Sequence, residues 1–251
     1  MKYKALFLDV DGTLVSRGLK DLPSLKVTNA INKVLNKVHV CLATGRILPQ
    51  ITDIVNHLKL SGLCVISNGI QIYDPKVDKI IKETKLDKQS LPQIYATMKK
   101  LGLVVRQFNG VGDALFDGNF DRDDIYSLWA DQLSDDRIGT IVKELSKIPK
   151  ISVHRMASFH KDFLAVEVSH SEASKLHGIV EVSKLLGIHP HEMIGVGDGY
   201  NDFPLLMACG LKIAMGNAVP ELKAIADFIA PSVEEDGVAT VIEKFILNNH
   251  V

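Results

Sequence analysis

The sequence predicts an α/β fold, a parallel-sheet core interrupted by an inserted α+β unit. Three observations predict it. Short apolar runs recur at residues 5–8, 38–43, 63–67, 193–197 and 211–215, and segments with helical spacing separate them. Several of these runs end in acidic or small polar residues, and ligands bind at the carboxyl ends of strands in open α/β sheets. Between residues 84 and 171 the series breaks, and alternating strands with grouped helices take its place.

Length and composition set the limits. The 251 residues suffice for one large domain or two modest ones. Hydrophobic content of 46% and charged content of 24% are those of an ordinary globular chain. A net charge of −1 gives no electrostatic case for nucleic acid or an anionic membrane surface, so a small molecule is the expected partner. Cys41, Cys64 and Cys209 lie in apolar segments without metal spacing and read as small core residues in a reducing compartment. The first residues run straight into a strand rather than a signal peptide, and no apolar run reaches membrane-spanning length. A cytoplasmic location is expected. Nothing bears on oligomeric state.

Residues 5–8, Ala-Leu-Phe-Leu, have the continuous apolarity of a strand buried on both faces. The chain continues Asp9-Val10-Asp11-Gly12-Thr13, two carboxylates one residue apart, then a residue that turns freely, then a hydroxyl. Alone this is also how a solvated Asp-Gly turn reads. A polar loop is expected over 16–24, a helix over 26–36 and a second strand over 38–43. A right-handed crossover makes these strands parallel, so Thr44-Gly45-Arg46 lands at the same sheet edge as Asp9. Thr44 suits either an anion oxygen or the cap of the next helix, 47–60. A third strand over 63–67 ends in Asn68-Gly69, read as a hairpin turn into 70–73.

The middle of the chain reads as helices over 90–101 and 137–147 with strands over 103–108, 151–156 and 163–168. This places core domain segments at 1–83 and 172–251 and an inserted α+β domain at 84–171. His154 and His160 lack ligand spacing and read as ordinary positions.

The parallel series resumes with a helix over 172–186 that carries Lys175 in its first turn, where a cation opposes the helix dipole. A solvated lysine is the alternative there. The strand 193–197 ends in Asp198-Gly199-Tyr200-Asn201-Asp202. Asp9, Asp11, Asp198 and Asp202 would then converge on one edge. Folding requires no such arrangement, and an oxygen-only ligand set is what Mg²⁺ accepts. A strand over 211–215 ends in Gly216-Asn217-Ala218. A helix over 219–226, a short strand at 228–230 and a helix beginning at Asp236-Gly237-Val238 complete the chain.

These residues resemble the haloacid dehalogenase superfamily of phosphatases, most closely its Cof-type members. The matches are Asp9-Val10-Asp11-Gly12-Thr13, Thr44-Gly45-Arg46, Lys175, the stretch Gly197 to Asp202, Met215-Gly216-Asn217-Ala218 and Asp236-Gly237-Val238. Lys175 departs from the pattern, because Leu176-His177-Gly178 follows it where the family has glycine directly. The resemblance implies a Rossmann-like core, a cap inserted at 84–171 and Mg²⁺-dependent hydrolysis of small phosphate monoesters such as sugar phosphates. It implies Asp9 as nucleophile and Asp11 as acid and base. Mg²⁺ would be held by Asp9, the Asp11 carbonyl and Asp198, with Asp202 in or near its shell. Thr44 and Lys175 would hold phosphoryl oxygens, with Thr13 and Gly45 beside them, while Arg46 and Asn201 support the site or reach the substrate. A phosphotransferase of the phosphomannomutase kind is the first alternative. A phospho-aspartate receiver domain is the second, and it fits poorly because it is about half this length and needs no cap.

Overall fold

The computed structural model describes residues 2–16, 18–158, 160 and 162–248; Arg17, in the expected 16–24 loop, and the last three positions of the C-terminal core segment lie outside the described residues. In chain order the elements are β1 (Ala5–Leu8), α1 (Leu25–Asn32), β2 (His39–Leu42), α2 (Leu48–Leu58), β3 (Cys64–Ile66), β4 (Gln71–Asp74) and β5 (Lys79–Glu83). Then come α3 (Leu91–Lys100), β6 (Arg106–Phe108), β7 (Asp113–Leu115), β8 (Ser127–Leu133), α4 (Asp135–Leu145), β9 (Ile151–Ala157) and β10 (Leu164–His170). The last elements are α5 (Lys175–Leu186), β11 (Met193–Gly197), α6 (Phe203–Ala208), β12 (Leu211–Ala214), α7 (Pro220–Ala224), β13 (Phe228–Ile229) and α8 (Gly237–Ile242). The chain divides into two compact units, one running to Lys82 and resuming at Lys175, the other Glu83–Ser174.

The first unit is built on a parallel five-stranded sheet in the order β13-β12-β11-β1-β2. Every residue of β1 is buried, and its side chains alternate between two cores. Leu6 and Leu8 pack with residues of α1, α2 and α8, whereas Ala5 and Phe7 pack with residues of α5 and α6. That double burial is why the run lacks polar alternation. The chain leaves β1 for β2 on one side and returns to β11 on the other. The carboxyl ends of β1 and β11 therefore flank the switch point of the sheet, where open α/β folds bind ligands.

Ser24 starts α1 by accepting a hydrogen bond from the Val27 N–H at 3.1 Å. In contrast, Thr44 caps no helix, since α2 begins four residues later at Leu48. The third apolar run does not extend the parallel sheet. Its strand β3 pairs antiparallel with β4, in a separate sheet β3-β4-β5, and runs parallel beside the end of β2 through the bridge of Ala43 with Val65 and the Thr44 N–H to the Val65 carbonyl at 2.9 Å. The Asn68-Gly69 hairpin turn is present, but Ser67, Asn68 and Gly69 all have positive φ, at 50°, 53° and 96°. The strand β5 was not foreseen in the sequence.

The second unit is a five-stranded sheet in the order β7-β6-β8-β10-β9, antiparallel throughout. Leu128, Ala130, Val166 and Val168 on one face pack with Leu91, Ile94 and Met98 of α3 and with Ile138, Ile141 and Leu145 of α4. Its central strand β8 escaped the sequence reading. Ser127, Asp131 and Gln132 interrupt its apolar positions, and a run of charged residues precedes it. Among the described residues no helix is long and apolar enough to cross a membrane.

Candidate active site

The carboxyl ends of β1 and β11 bring Asp9 and Asp198 together, and the turn after β11 adds Asp202. All three are buried, and one oxygen of each lies within 4.8 Å of the others. The first residue of α5 completes the group. Lys175 Nζ donates to Asp9 Oδ1 at 2.7 Å and to Asp202 Oδ1 at 2.6 Å, with the side chain 1% exposed. Lys175 reaches this depth because α5 packs closely on β3. A Cβ added to Gly178, one turn further along the same face, would stand 2.4 Å from Val65 Cγ1. The glycine that the motif resemblance places directly after the lysine is here three residues on, where the helix needs it.

Charge in this group does not balance, with three buried carboxylates against one ammonium. Burial raises the Asp9 pKa well above the carboxylate range, and repulsion from Asp202 and Asp198 adds to the effect against the pull of Lys175. Burial opposes the Lys175 ammonium, but Asp202 and Asp9 outweigh it, so its pKa is raised and it stays charged. An all-oxygen donor set with excess negative charge fits a hard divalent cation.

Asp202 has a second task. Its Oδ2 accepts the backbone N–H groups of Asp198 and Gly199, each at 2.9 Å, while its Oδ1 takes Lys175. Both oxygens therefore brace the turn and the lysine.

Asp11 lies apart from this cluster. Its carboxylate meets Arg46 in a two-pronged pair, Nε to Oδ2 at 2.9 Å and Nη2 to Oδ1 at 2.7 Å. Arg46 also donates to the carbonyls of Gly18, Leu19 and Gln50, so each of its five N–H groups has a partner. The guanidinium is buried, while the Asp11 side chain is 34% exposed. The sequence left Arg46 between supporting the site and reaching the substrate; in this arrangement its donors are spent on support.

Thr44 is buried and its hydroxyl accepts the Arg46 N–H at 3.1 Å. The Thr13 hydroxyl is buried with no hydrogen-bond partner among the described residues. Gly45 leaves room for the Asn68 side chain, whose Oδ1 accepts from Asn201 Nδ2 at 3.2 Å. Asn217, noted in the sequence only as part of a motif, donates to the Gly12 carbonyl at 2.8 Å. The Arg46–Asp11 fork had no signal in spacing, since 35 residues separate the partners.

A parallel α/β core carrying an aspartate pair, a buried lysine and an acidic turn defines a class of hydrolases, and the chain belongs to it. The family model of haloacid dehalogenase-like hydrolases matches residues 6–124 and 117–242, and this protein is a phosphatase of that family. The chain is 26% identical over 247 residues to the 5-amino-6-(5-phospho-D-ribitylamino)uracil phosphatase of Bacillus subtilis, covering 97% of this chain and 96% of that one. Among solved structures, a haloacid dehalogenase-like hydrolase from B. subtilis superposes with a TM-score of 0.82 at 22% identity, over 98% of this chain and 100% of that one. A subclass IIB sugar phosphatase gives a TM-score of 0.80 at 20% identity, over 96% and 98% of the two chains. At these identities the structures establish the shared fold.

Proposed function

We propose that this phosphatase hydrolyses small phosphate monoesters of the sugar-phosphate kind, with Mg²⁺ as its metal, through a phosphorylated Asp9. The observation that carries the reading is the buried Lys175 held between Asp9 and Asp202 beside Asp198. Such a group is costly to bury for stability alone.

Asp9 and Asp198, with the main-chain carbonyl of Asp11, would hold the metal, while Asp202 supports them from behind. When bound, a divalent cation offsets the repulsion between a phosphate and the Asp9 carboxylate. Lys175 fixes Asp9 through Oδ1 and adds positive charge where a phosphoryl group gathers negative charge in transit. The buried hydroxyls of Thr13 and Thr44, with the peptide N–H at Gly45, suit the phosphoryl oxygens.

The Asp9 carboxylate attacks phosphorus as the ester P–O bond breaks, and Asp11, after one of its oxygens has left the Arg46 fork and taken a proton from solvent, gives that proton to the departing alkoxide. Asp11, now a carboxylate, takes a proton from water. The hydroxide attacks phosphorus and releases inorganic phosphate and free Asp9. Arg46 holds Asp11 in place, and Asn201 braces Asn68 beside Gly45. Residues 84–171 act as a cap that selects the alcohol. The names of the relatives, a ribityl phosphate phosphatase and a sugar phosphatase, support the substrate class.

The test is phosphate release from a panel of phosphorylated metabolites, with Mg²⁺ and with excess chelator. Release without an acceptor sugar, strongest for sugar phosphates and lost with chelator, is the expected result. Full turnover in chelator would remove the metal from the reading, and transfer only in the presence of an acceptor would make the protein a phosphotransferase.

A further inference from the structure

Behind the acidic turn runs the loop after β12, Met215 to Val219. It is tied to the end of β11 by Met215 N–H to the Gly197 carbonyl and Val219 N–H to the Asp198 carbonyl, both at 3.0 Å. Asn217 stands in the middle of this loop. Its Oδ1 accepts the Val233 N–H at 2.9 Å, which fixes which end of the amide is the donor. Its Nδ2 then donates to the Gly12 carbonyl at 2.8 Å and, more weakly, to Asp198 Oδ2 at 3.4 Å. Asn217 is exposed, but its amide group joins three segments that are otherwise separate in sequence.

Gly12 and Asp198 are packed together where Asn217 holds them. Gly12 has φ +78°, and a Cβ there would stand 2.2 Å from Asp198 Oδ2. Asp198 therefore lies directly against the backbone that follows Asp11. The pairing of β1 with β11, closed by the Asp9 N–H to the Val196 carbonyl at 3.0 Å, brings the two loops side by side. Asn217 hydrogen-bonds both and so fixes how the Asp198 carboxylate lies against the Gly12 loop.

We infer that Asn217 is a positioning residue for the metal, holding the Asp198 carboxylate against the Gly12 loop so that Asp9, the Asp11 carbonyl and Asp198 present their oxygens together. This rests on the reading of Asp198 as a metal ligand. Partners that orient metal ligands without touching the metal typically change affinity about 10- to 100-fold when removed.

The test is Mn²⁺ binding to the substrate-free protein, followed by the electron paramagnetic resonance signal of free Mn²⁺, so that no turnover is needed. Wild type should bind one Mn²⁺, and Asp198→Asn should bind it far more weakly. Asn217→Ala should weaken binding by about 10- to 100-fold. Lys223→Met is the control, since Lys223 Nζ supports the same loop through the Gly216 carbonyl without touching Gly12 or Asp198. It should bind like wild type. If Asn217→Ala does not fold, Asn217→Ser serves, because its hydroxyl cannot span all three partners; a weakening of several-fold is expected. Wild-type affinity in a folded Asn217 variant overturns the inference, and so does equal weakening in Lys223→Met, which would make the loop as a whole responsible. Binding that is absent in wild type, or undiminished in Asp198→Asn, overturns the metal reading itself.

Discussion

Asp9 and Asp11 lie two residues apart on one loop and live in opposite surroundings. Asp9 is 4% exposed and meets an ammonium through one oxygen, among other carboxylates. Asp11 has a side chain 34% exposed and meets a guanidinium through both oxygens, away from the other acids. The difference matches the two kinds of work proposed for them. A nucleophile gains from a dry site where few water molecules must be displaced, so it is buried and its charge is shared. An acid and base must exchange protons with water between steps, so it stays reachable and is held by its orientation.

Replacing each aspartate by asparagine breaks the comparison most directly. Asp9→Asn should lower kcat by about 10⁴-fold or more, because no covalent intermediate can form. Its thermal midpoint without metal should hold or rise, since one of three clustered negative charges is gone. Asp11→Asn should lower kcat by about 10²- to 10⁴-fold, the usual range for a lost acid or base. It should still form the phosphorylated enzyme from an ester with a good leaving group such as nitrophenyl phosphate. Phosphate-release kinetics and acid-quench trapping of the phosphoryl group check both. A phosphoryl group trapped on Asp9→Asn protein would overturn the assignment.

The two cations can be broken in the same way. Lys175→Met leaves Asp9, Asp198 and Asp202 buried without an ammonium, and losing one side of a buried charge pair costs about 3–5 kcal/mol. Denaturant titration without metal should show that loss, and added Mg²⁺ should restore part of it. Arg46→Lys keeps a positive charge but not the fork. It cannot make the five hydrogen bonds of the guanidinium, so kcat should fall by about 10- to 100-fold with KM little changed. A rise in KM alone would mean that Arg46 contacts the substrate instead.

The positions of Asp9, Asp198 and Lys175 could be read from the sequence because each sits at the end of a strand or the start of a helix. A parallel sheet delivers all its carboxyl ends to one edge. What escaped was set by side-chain length and not by period. Asp202 was foreseen at this edge and stands there, but its bonds to its own turn were not, and Arg46 reaches Asp11 across loops, so neither contact leaves a pattern in spacing. Lys175 was doubtful for the opposite reason. Its glycine partner was sought at the next residue, although helix packing places it at Gly178, one turn on. The strand β8 was lost because its polar residues follow a charged stretch, whereas the hairpin from β3 into β4 was legible in Asn68-Gly69.

The smallest expected effect concerns acid, and it isolates the buried half of the comparison. Burial first, then Asp202 and Asp198, raise the Asp9 pKa in the metal-free protein. An unfolded aspartate has a pKa of about 3.9. The folded state thus binds the Asp9 proton more tightly than the unfolded chain does. By linkage this contribution to stability is full below about pH 4 and is lost as pH rises through the higher folded value. Other carboxylates act in the opposite sense, Glu192 and Glu235 among them, so the total need not rise in acid. The difference between wild type and Asp9→Asn cancels those groups. Metal-free wild type should therefore lose stability relative to Asp9→Asn as pH climbs from about 4 to 7. Thermal midpoints of the two proteins in chelator, compared at each pH, measure it. Parallel curves would mean that Asp9 is ionised in the folded protein across the whole range, with Lys175 alone sufficient to hold its charge.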